Sequence, residues 1–318
     1  MRISTVPDGE FLSMYSKLGP NETARRLGIS QRRVYYRRSR LERQGFEIKA
    51  PGSQHNPNCN LYRIKSYPWR IPLEVKNGTV IVASDAHYWP GPPSLMHQAL
   101  LRFLKDCKPK AIILNGDVID APSISRFNPI GWESRPDLVD EIEAAQDRCH
   151  EIEKASGRIP KIWTLGNHDA RFESRLAHVA PEFAKIKGVH LKDHFPIWEP
   201  AWAVWINKDT VIKHRFKGGI HAPRNNTIHA GKSIITGHLH SAQVVPFTDY
   251  NDTRYGVDGG CVAETDHKAF IDYTEDNPKN WCSAFCVLTF KEGRLMQPEL
   301  VLKWDEKRIQ FRGWVGVP

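Results

Sequence analysis

Five short stretches carry side chains suited to metal-assisted chemistry. In order they are Asp85-Ala86-His87, Asn115-Gly116-Asp117-Val118-Ile119-Asp120, Gly166-Asn167-His168-Asp169, an isolated His214, and Gly237-His238-Leu239-His240. Carboxylate, imidazole and amide oxygen together suit manganese, iron(II) or zinc in sites harder than a thiolate pocket. Roughly seven such donors are too many for one ion of this kind, and one aspartate can bridge two ions about 3.5–4 Å apart.

Each stretch follows a segment that reads as a short buried strand: residues 79–84, 111–115, 161–165, 210–213 and 233–236. In α/β folds the C-terminal ends of such strands are where ligand groups sit. Between them, residues 94–107 form an amphipathic helix with Leu95, Ala99, Leu100, Phe103 and Leu104 on one face, and residues 137–156 a long Glu-rich one. Residues 201–206 and 210–213 read as strands paired around Asn207-Lys208-Asp209, and the tail (284–290, 300–304) has hairpin character about Lys291-Glu292-Gly293. The runs 198–205 and 282–286, rich in Trp and Cys, read as sheet core.

Asp-x-His, Gly-Asp-x-x-Asp, Gly-Asn-His-Asp, a histidine after a strand and Gly-His-x-His, in this order from about residue 79 to 240, resemble the calcineurin-like metallophosphoesterase superfamily. The resemblance implies a four-layer α-β-β-α sandwich that hydrolyses P–O bonds with a hydroxide shared by two ions. By motif it implies Asp85, His87, Asp117 and His240 on the first ion and Asp117, Asn167, His214 and His238 on the second, Asp117 being the bridge. Manganese is the expected metal, with iron(II) and zinc as alternatives. His168 would serve the leaving oxygen as general acid or electrostatic contact, with Asp120 as its carboxylate partner. Asp169 is expected to bond loop amides. His221 and His229 compete with His214 for the fourth motif, but neither follows a strand as His214 does. The superfamily's protein Ser/Thr phosphatases carry Asp-Arg-Gly after the second motif. Here Asp120 is followed by Ala121-Pro122, which argues against a protein phosphatase.

The first fifty residues hold eleven cations against five anions, so +6 of the chain's net +9 lies there. That asymmetry favours a polyanionic partner, nucleic acid before membrane. Residues 10–18, 22–27 and 31–44 read as three short helices, broken at Gly19-Pro20-Asn21 and at Gly28-Ile29-Ser30. The string from Thr23 to Arg38 resembles the helix-turn-helix family. That resemblance implies a core of Ala24, Leu27, Ile29 and Val34, with Arg32, Arg33, Tyr36 and Arg37 facing DNA. Residues 60–65 alternate like a strand and suit a wing. The expected division is a helix-turn-helix domain over 1–47, wing and linker over 48–75, and a metallophosphoesterase domain over 76–318.

Joined, the halves predict a DNA-binding, dimetal phosphodiesterase or nuclease. The alternatives are a phosphodiesterase or phosphatase acting on a small nucleotide or other phosphoester, and a DNA-binding regulator with a secondary esterase domain. Arg171, Arg215 and Arg224 are candidate contacts for substrate phosphate, and the loop 123–132 offers aromatics for base stacking. Six scattered cysteines read as reduced thiols. Neither a secretion-signal core nor a run of about 20 apolar residues is visible, so a cytoplasmic location is expected, with oligomeric state open.

Overall fold

Gly19 breaks the first helical stretch. α1 (Asp8–Leu27) is two segments joined where Gly19 takes φ 76°, and Gly28 ends it in the left-handed region at φ 62°. Ser30 then caps α2 (Gln31–Arg43), its hydroxyl accepting the Arg33 amide at 3.4 Å. Phe11, Tyr15, Ala24, Val34 and Leu41 form a small buried core, with Leu27 and Ile29 packed against it. The computed structural model describes residues 6–46, 48, 67–126, 132, 135–266 and 279–318, in two compact units, Met1–Lys65 and Ser66–Pro318. The expected wing at 60–65 lies outside the described residues.

The larger unit runs β1 (Ile71–Leu73), β2 (Gly78–Ala83), α3 (Leu95–Cys107), β3 (Ala111–Asn115), α4 (Leu138–Ser156), β4 (Lys161–Thr164), α5 (Asp169–Val179), α6 (Leu191–His194) and β5 (Glu199–Ala201). It continues with β6 (Val204–Ile206), β7 (Thr210–Ile212), α7 (Ala222–Ala230), β8 (Ser233–Thr236), β9 (Gln243–Asp249) and β10 (Asp252–Asp258). The tail holds β11 (Ala284–Lys291), β12 (Arg294–Leu295), β13 (Glu299–Lys303), β14 (Ile309–Phe311) and β15 (Trp314–Gly316). One sheet has the order β1-β6-β7-β8-β10-β9, the other β15-β14-β13-β11-β2-β3-β4-β5, with β12 beside β11.

Period-two alternation builds the layers. Val80, Val82, Ala111 and Ile113 meet Val204, Ile206, Ile212, Ile235 and Val257 between the sheets. Their neighbours Ile81, Ala83, Ile112 and Leu114 face outward into a second core with Leu100 and Leu104 of α3 and Ile142 and Ala145 of α4. α7 packs on β8, β9 and β10, covering the other sheet. The result is the α-β-β-α sandwich, preceded by a unit whose described elements are the helices α1 and α2.

Two expectations need correction. Residues 71–73, placed in a linker, form edge strand β1, paired in parallel with β6. Pro72 lacks a ladder donor and is tolerated there because the strand lies at an edge. Residues 201–206 are not one strand: β5 pairs with β4, the chain changes sheet at Trp202-Ala203, and only β6 forms the hairpin with β7. Among the described residues, no helix is long and apolar enough to cross a membrane.

Candidate metal centre

Strand ends bring the five stretches together. β2, β3 and β4 run parallel in one sheet, β7 and β8 parallel in the other. Beyond β2 and β3 the ladder continues into the loops: the amides of Asp85, His87 and Tyr88 donate to the carbonyls of Gly116, Asp117 and Val118 at 3.0, 3.0 and 2.9 Å. Across the sheets, His214 Nδ1 lies 2.8 Å from the Asn115 carbonyl oxygen, and the Gly237 amide donates to the His214 carbonyl at 2.8 Å.

The backbone is strained where the donors sit. Asp85, His87, Asp117, His238 and His240 all have positive φ, from 40° to 74°. Each such residue costs on the order of 1–3 kcal/mol and persists only where surrounding structure over-determines it. Close packing behind the donors does this. A Cβ on Gly116 would lie 2.3 Å from the His214 ring, one on Gly166 2.1 Å from Asp117 Oδ1, and one on Gly237 2.3 Å from Asp85 Oδ2. The motif glycines are therefore seats for the candidate ligand side chains.

Two triplets result, Asp85–His87–His240 and Asp117–His214–His238, each offering donor atoms within 4.8 Å of one another. His214 joins them, its Nε2 being 3.0 Å from Asp117 Oδ2 and 3.9 Å from Asp85 Oδ1. With Nδ1 directed at the Asn115 carbonyl, Nε2 is the ring atom that faces the carboxylates. Burial opposes charge on the His214 ring, but Asp117 and Asp85 hold its pKa up to about 10. Burial likewise opposes charge on Asp117 and Asp85, and neighbouring histidines, chiefly His214 for Asp117 and His240 for Asp85, hold both carboxyls below the usual range. The site thus favours concentrated positive charge. Asn167 Oδ1 is buried and has no hydrogen-bond partner among the described residues. An acceptor left that way costs about 1–3 kcal/mol, and a cation would satisfy it. Carboxylate, imidazole and amide donors, with this unpaired oxygen, fit a pair of divalent ions.

A third triplet, His87–Asp120–His168, is as close-knit. Its two rings address one carboxylate: Asp120 Oδ1 lies 2.5 Å from His168 Nδ1 and 3.3 Å from His87 Nδ1. That is how a carboxylate orients imidazoles, and the link to His87 was not foreseen in the sequence. The His168 amide donates to Asp117 Oδ1 at 2.8 Å. Burial works against charge on His168, yet Asp120 and Asp117 raise its pKa. Asp169 bonds loop amides as expected, accepting from Asp117, Val118 and Gly166 at 2.8–2.9 Å and from the Trp163 indole at 2.9 Å.

Sequence reasoning missed Glu141 and Asp258. Glu141, buried on α4, accepts the Asp120 and Ala121 amides at 2.5 and 2.6 Å. Nothing marks one Glu as inward-facing in a Glu-rich helix. Asp258, also buried, accepts the Ser241 and Gly260 amides at 3.0 and 3.1 Å and so holds the His240 loop. Its signal was present: a carboxylate next to glycine at a strand end, here before Gly259-Gly260 where Asp117 follows Gly116.

Burial, aided by the charge of Asp120, pushes Glu141 up to about 7 despite the amide bonds. A carboxyl raised in this way takes up a proton on folding between its ordinary 4.5 and about 7. Its contribution to stability is therefore present at the acid end of that window and falls as pH rises through it. Glu141→Gln keeps an amide acceptor and does not titrate. Denaturant unfolding at both ends of the window should show the variant gaining on the parent with rising pH, by at most roughly 3 kcal/mol.

The remaining candidates are more scattered. Arg171 donates to the Asp120 carbonyl at 2.8 Å, and its other terminal nitrogen lies 3.3 Å from His168 Nε2, so it braces this loop. Arg215 is exposed just after His214, whereas Arg224 sits on α7 with its guanidinium over the Phe247 ring. His221 is exposed at the start of α7 and His229 pairs with Lys217 at 2.9 Å; His214 is the one beside Asp117. In the aromatic loop Trp132 is exposed, while 127–131 lie outside the described residues. In the N-terminal unit Arg32, Arg33 and Tyr36 are exposed on α2. Arg37 departs from its expected outward position: it bonds Asp8 and the Val6 carbonyl and covers the Phe11 ring at 4.6 Å. One turn after the buried Val34, it falls on the helix face that packs inward.

The model of the calcineurin-like phosphoesterase family matches residues 78–254, more than half the chain. The chain belongs to the calcineurin-like phosphoesterase family. This calcineurin-like phosphoesterase is accordingly a hydrolase of phosphoester bonds, from a family that uses two metal ions, with its candidate ligand groups on the sandwich rim. It is similar to the gene 54 protein of Mycobacterium phage L5, at 23% identity over 248 residues covering 70% of this chain and 92% of that protein. The gene 54 protein of phage D29 is 24% identical over 245 residues, with the same coverage. Among solved structures, Chaetomium thermophilum Vps29 matches at 9% identity and a TM-score of 0.40, covering 76% of this chain and 98% of that one.

Proposed function

We propose that this calcineurin-like phosphoesterase is a manganese-dependent phosphodiesterase that cleaves DNA and is held to it by its helical N-terminal unit. The observation that carries the diester reading is Ala121. It stands where protein phosphatases of the superfamily place an arginine, and it is fully buried with φ 51°. Its amide is bound by Glu141, and position 121 itself supplies no guanidinium to grip a phosphomonoester's extra charge.

Asp85, His87, Asp117 and His240 would hold one ion and Asp117, Asn167, His214 and His238 the other. When bound, the ions supply Lewis-acid stabilisation of phosphoryl charge and acidify an attacking water. The chain does the rest. Asp120 orients His168 through Nδ1 and favours its charged form, which places Nε2 to give a proton to the leaving oxygen. Arg171, beside Nε2, tempers that basicity by its charge and is the candidate contact for a substrate phosphate on this loop.

Support for the DNA reading is the exposed Arg32, Arg33 and Tyr36 on a helix entered through a Gly28 turn, together with the charge excess of the first fifty residues. Arg32→Ala with Arg33→Ala should weaken duplex binding and reduce the slope of log affinity against log salt by roughly 0.9 per lost phosphate contact. Fluorescence anisotropy across a salt series measures this; an unchanged slope would remove α2 from the interface. For the catalytic half, the manganese-loaded chain is given single- and double-stranded DNA beside bis-p-nitrophenyl phosphate. Cleavage of the generic diester with both DNAs intact would end the nuclease reading.

A further inference from the structure

Glu141 lies in the first turn of α4 with no exposed surface, at the helix end that favours negative charge. Among the described residues its side chain bonds one feature. Oε1 accepts the Asp120 and Ala121 amides at 2.5 and 2.6 Å, while Oε2 is buried with no hydrogen-bond partner. Successive amides of a turn form a concavity suited to an anion. We propose that Glu141 is a positioning residue for proton transfer, holding the turn that aims the Asp120 carboxylate at His168. This deepens the phosphodiesterase reading and rests on it.

The turn needs holding. Ala121 takes φ 51° and ψ 49°, the left-handed region, without the freedom of a glycine. Such a residue persists only where its surroundings over-determine it. The two amides bound by Glu141 flank the Asp120 α-carbon, so both backbone dihedrals of Asp120 are restrained. Arg171 holds the carbonyl between them at 2.8 Å. Both backbone polar atoms of Asp120 are thereby bonded to charged side chains.

The restraint is selective. The neighbouring Asp117 and Val118 amides belong to Asp169, at 2.8 and 2.9 Å. Glu141 therefore governs the partner of the acid, and Asp169 the carboxylate placed between the ions. At the other end of these contacts, Asp120 Oδ1 stands 2.5 Å from His168 Nδ1. If the turn relaxes, that contact opens, and His168 loses both its orientation and the charge that favours its protonated form. A misplacement of about 1 Å at a catalytic group can cost on the order of 10²-fold in rate.

An apolar variant of similar length separates positioning from architecture. Glu141→Met fills the site but accepts nothing, whereas Glu141→Gln keeps an acceptor for both amides. The full chain, loaded with manganese, is assayed on bis-p-nitrophenyl phosphate and on diphenyl phosphate, whose phenolate leaves poorly without a proton. Glu141→Met should lose roughly 10–100-fold in kcat on diphenyl phosphate. On the nitrophenyl diester it should stay within about threefold of the parent, since that oxygen departs without a proton. Its bound manganese should match the parent's by elemental analysis. Glu141→Gln should recover most of the lost rate. In a His168→Ala background Glu141→Met should cost little more on diphenyl phosphate, because both act on one step. Should Glu141→Met fail to fold by thermal unfolding, Glu141→Asp, a methylene too short to reach both amides, carries the same predictions. An equal loss on both diesters, a fall in bound manganese, or no loss at all overturns the proposal. A parent that hydrolyses neither diester sinks the phosphodiesterase reading, and this role falls with it.

Discussion

Replacing Asp117 with asparagine should lower diester turnover by at least a thousandfold and cut the number of bound metal ions. Asp117 is almost fully buried and addresses both sides of the centre. Oδ1 accepts the His168 amide at 2.8 Å, and Oδ2 lies 3.0 Å from His214 Nε2. Asparagine preserves the shape and can still accept the amide, so the loop should remain seated. It removes a full negative charge from a buried site designed around positive charge. Lewis-acid stabilisation of a phosphoryl transition state amounts to several kcal/mol, and each 1.36 kcal/mol is about a decade in rate. Elemental analysis after gel filtration gives the metal count, and thermal unfolding confirms that the variant is folded. A folded variant that keeps both ions and its activity would remove Asp117 from the bridging position.

The second large effect is at His168, and it depends on the leaving group. His168→Ala should cost roughly 10²–10⁴ in kcat on substrates whose leaving oxygen is an alkoxide, the usual worth of a positioned acid. On p-nitrophenyl esters the loss should be far smaller, because that oxygen departs without a proton. Asp120→Asn should follow the same pattern more weakly, since Asp120 Oδ1, 2.5 Å from His168 Nδ1, both orients the ring and favours its charge. A uniform loss across leaving groups would mean that His168 supports binding or structure, not proton transfer.

The ordered motifs made the sandwich and the gathering of candidate donors at one rim readable because strand ends obey a simple rule. Short apolar runs such as Ala111–Asn115 suit buried strands, and where those strands pair in parallel the polar residues after them share a rim. Glycines were informative for a reason visible only in three dimensions: Gly116, Gly166 and Gly237 are spaces for His214, Asp117 and Asp85. Contacts that cross the chain without a local pattern were not readable. Glu141 lies on a helix twenty residues from the amides it binds, and the branch of Asp120 toward His87 depends on two loops meeting. Residues 201–206 misled because an apolar run does not reveal that the chain leaves one sheet and enters the other within it. Arg37 misled because arginine density alone does not say which face of a short helix meets Asp8.

The most direct test of the dimetal phosphodiesterase account is the rate ratio on two generic substrates. The full chain, stripped with chelator and reloaded with manganese, would be assayed on bis-p-nitrophenyl phosphate and p-nitrophenyl phosphate. The account predicts that the diester is the better substrate, that chelation abolishes its hydrolysis, and that manganese restores it. A preference for the monoester, or diester hydrolysis that survives chelation, would contradict it.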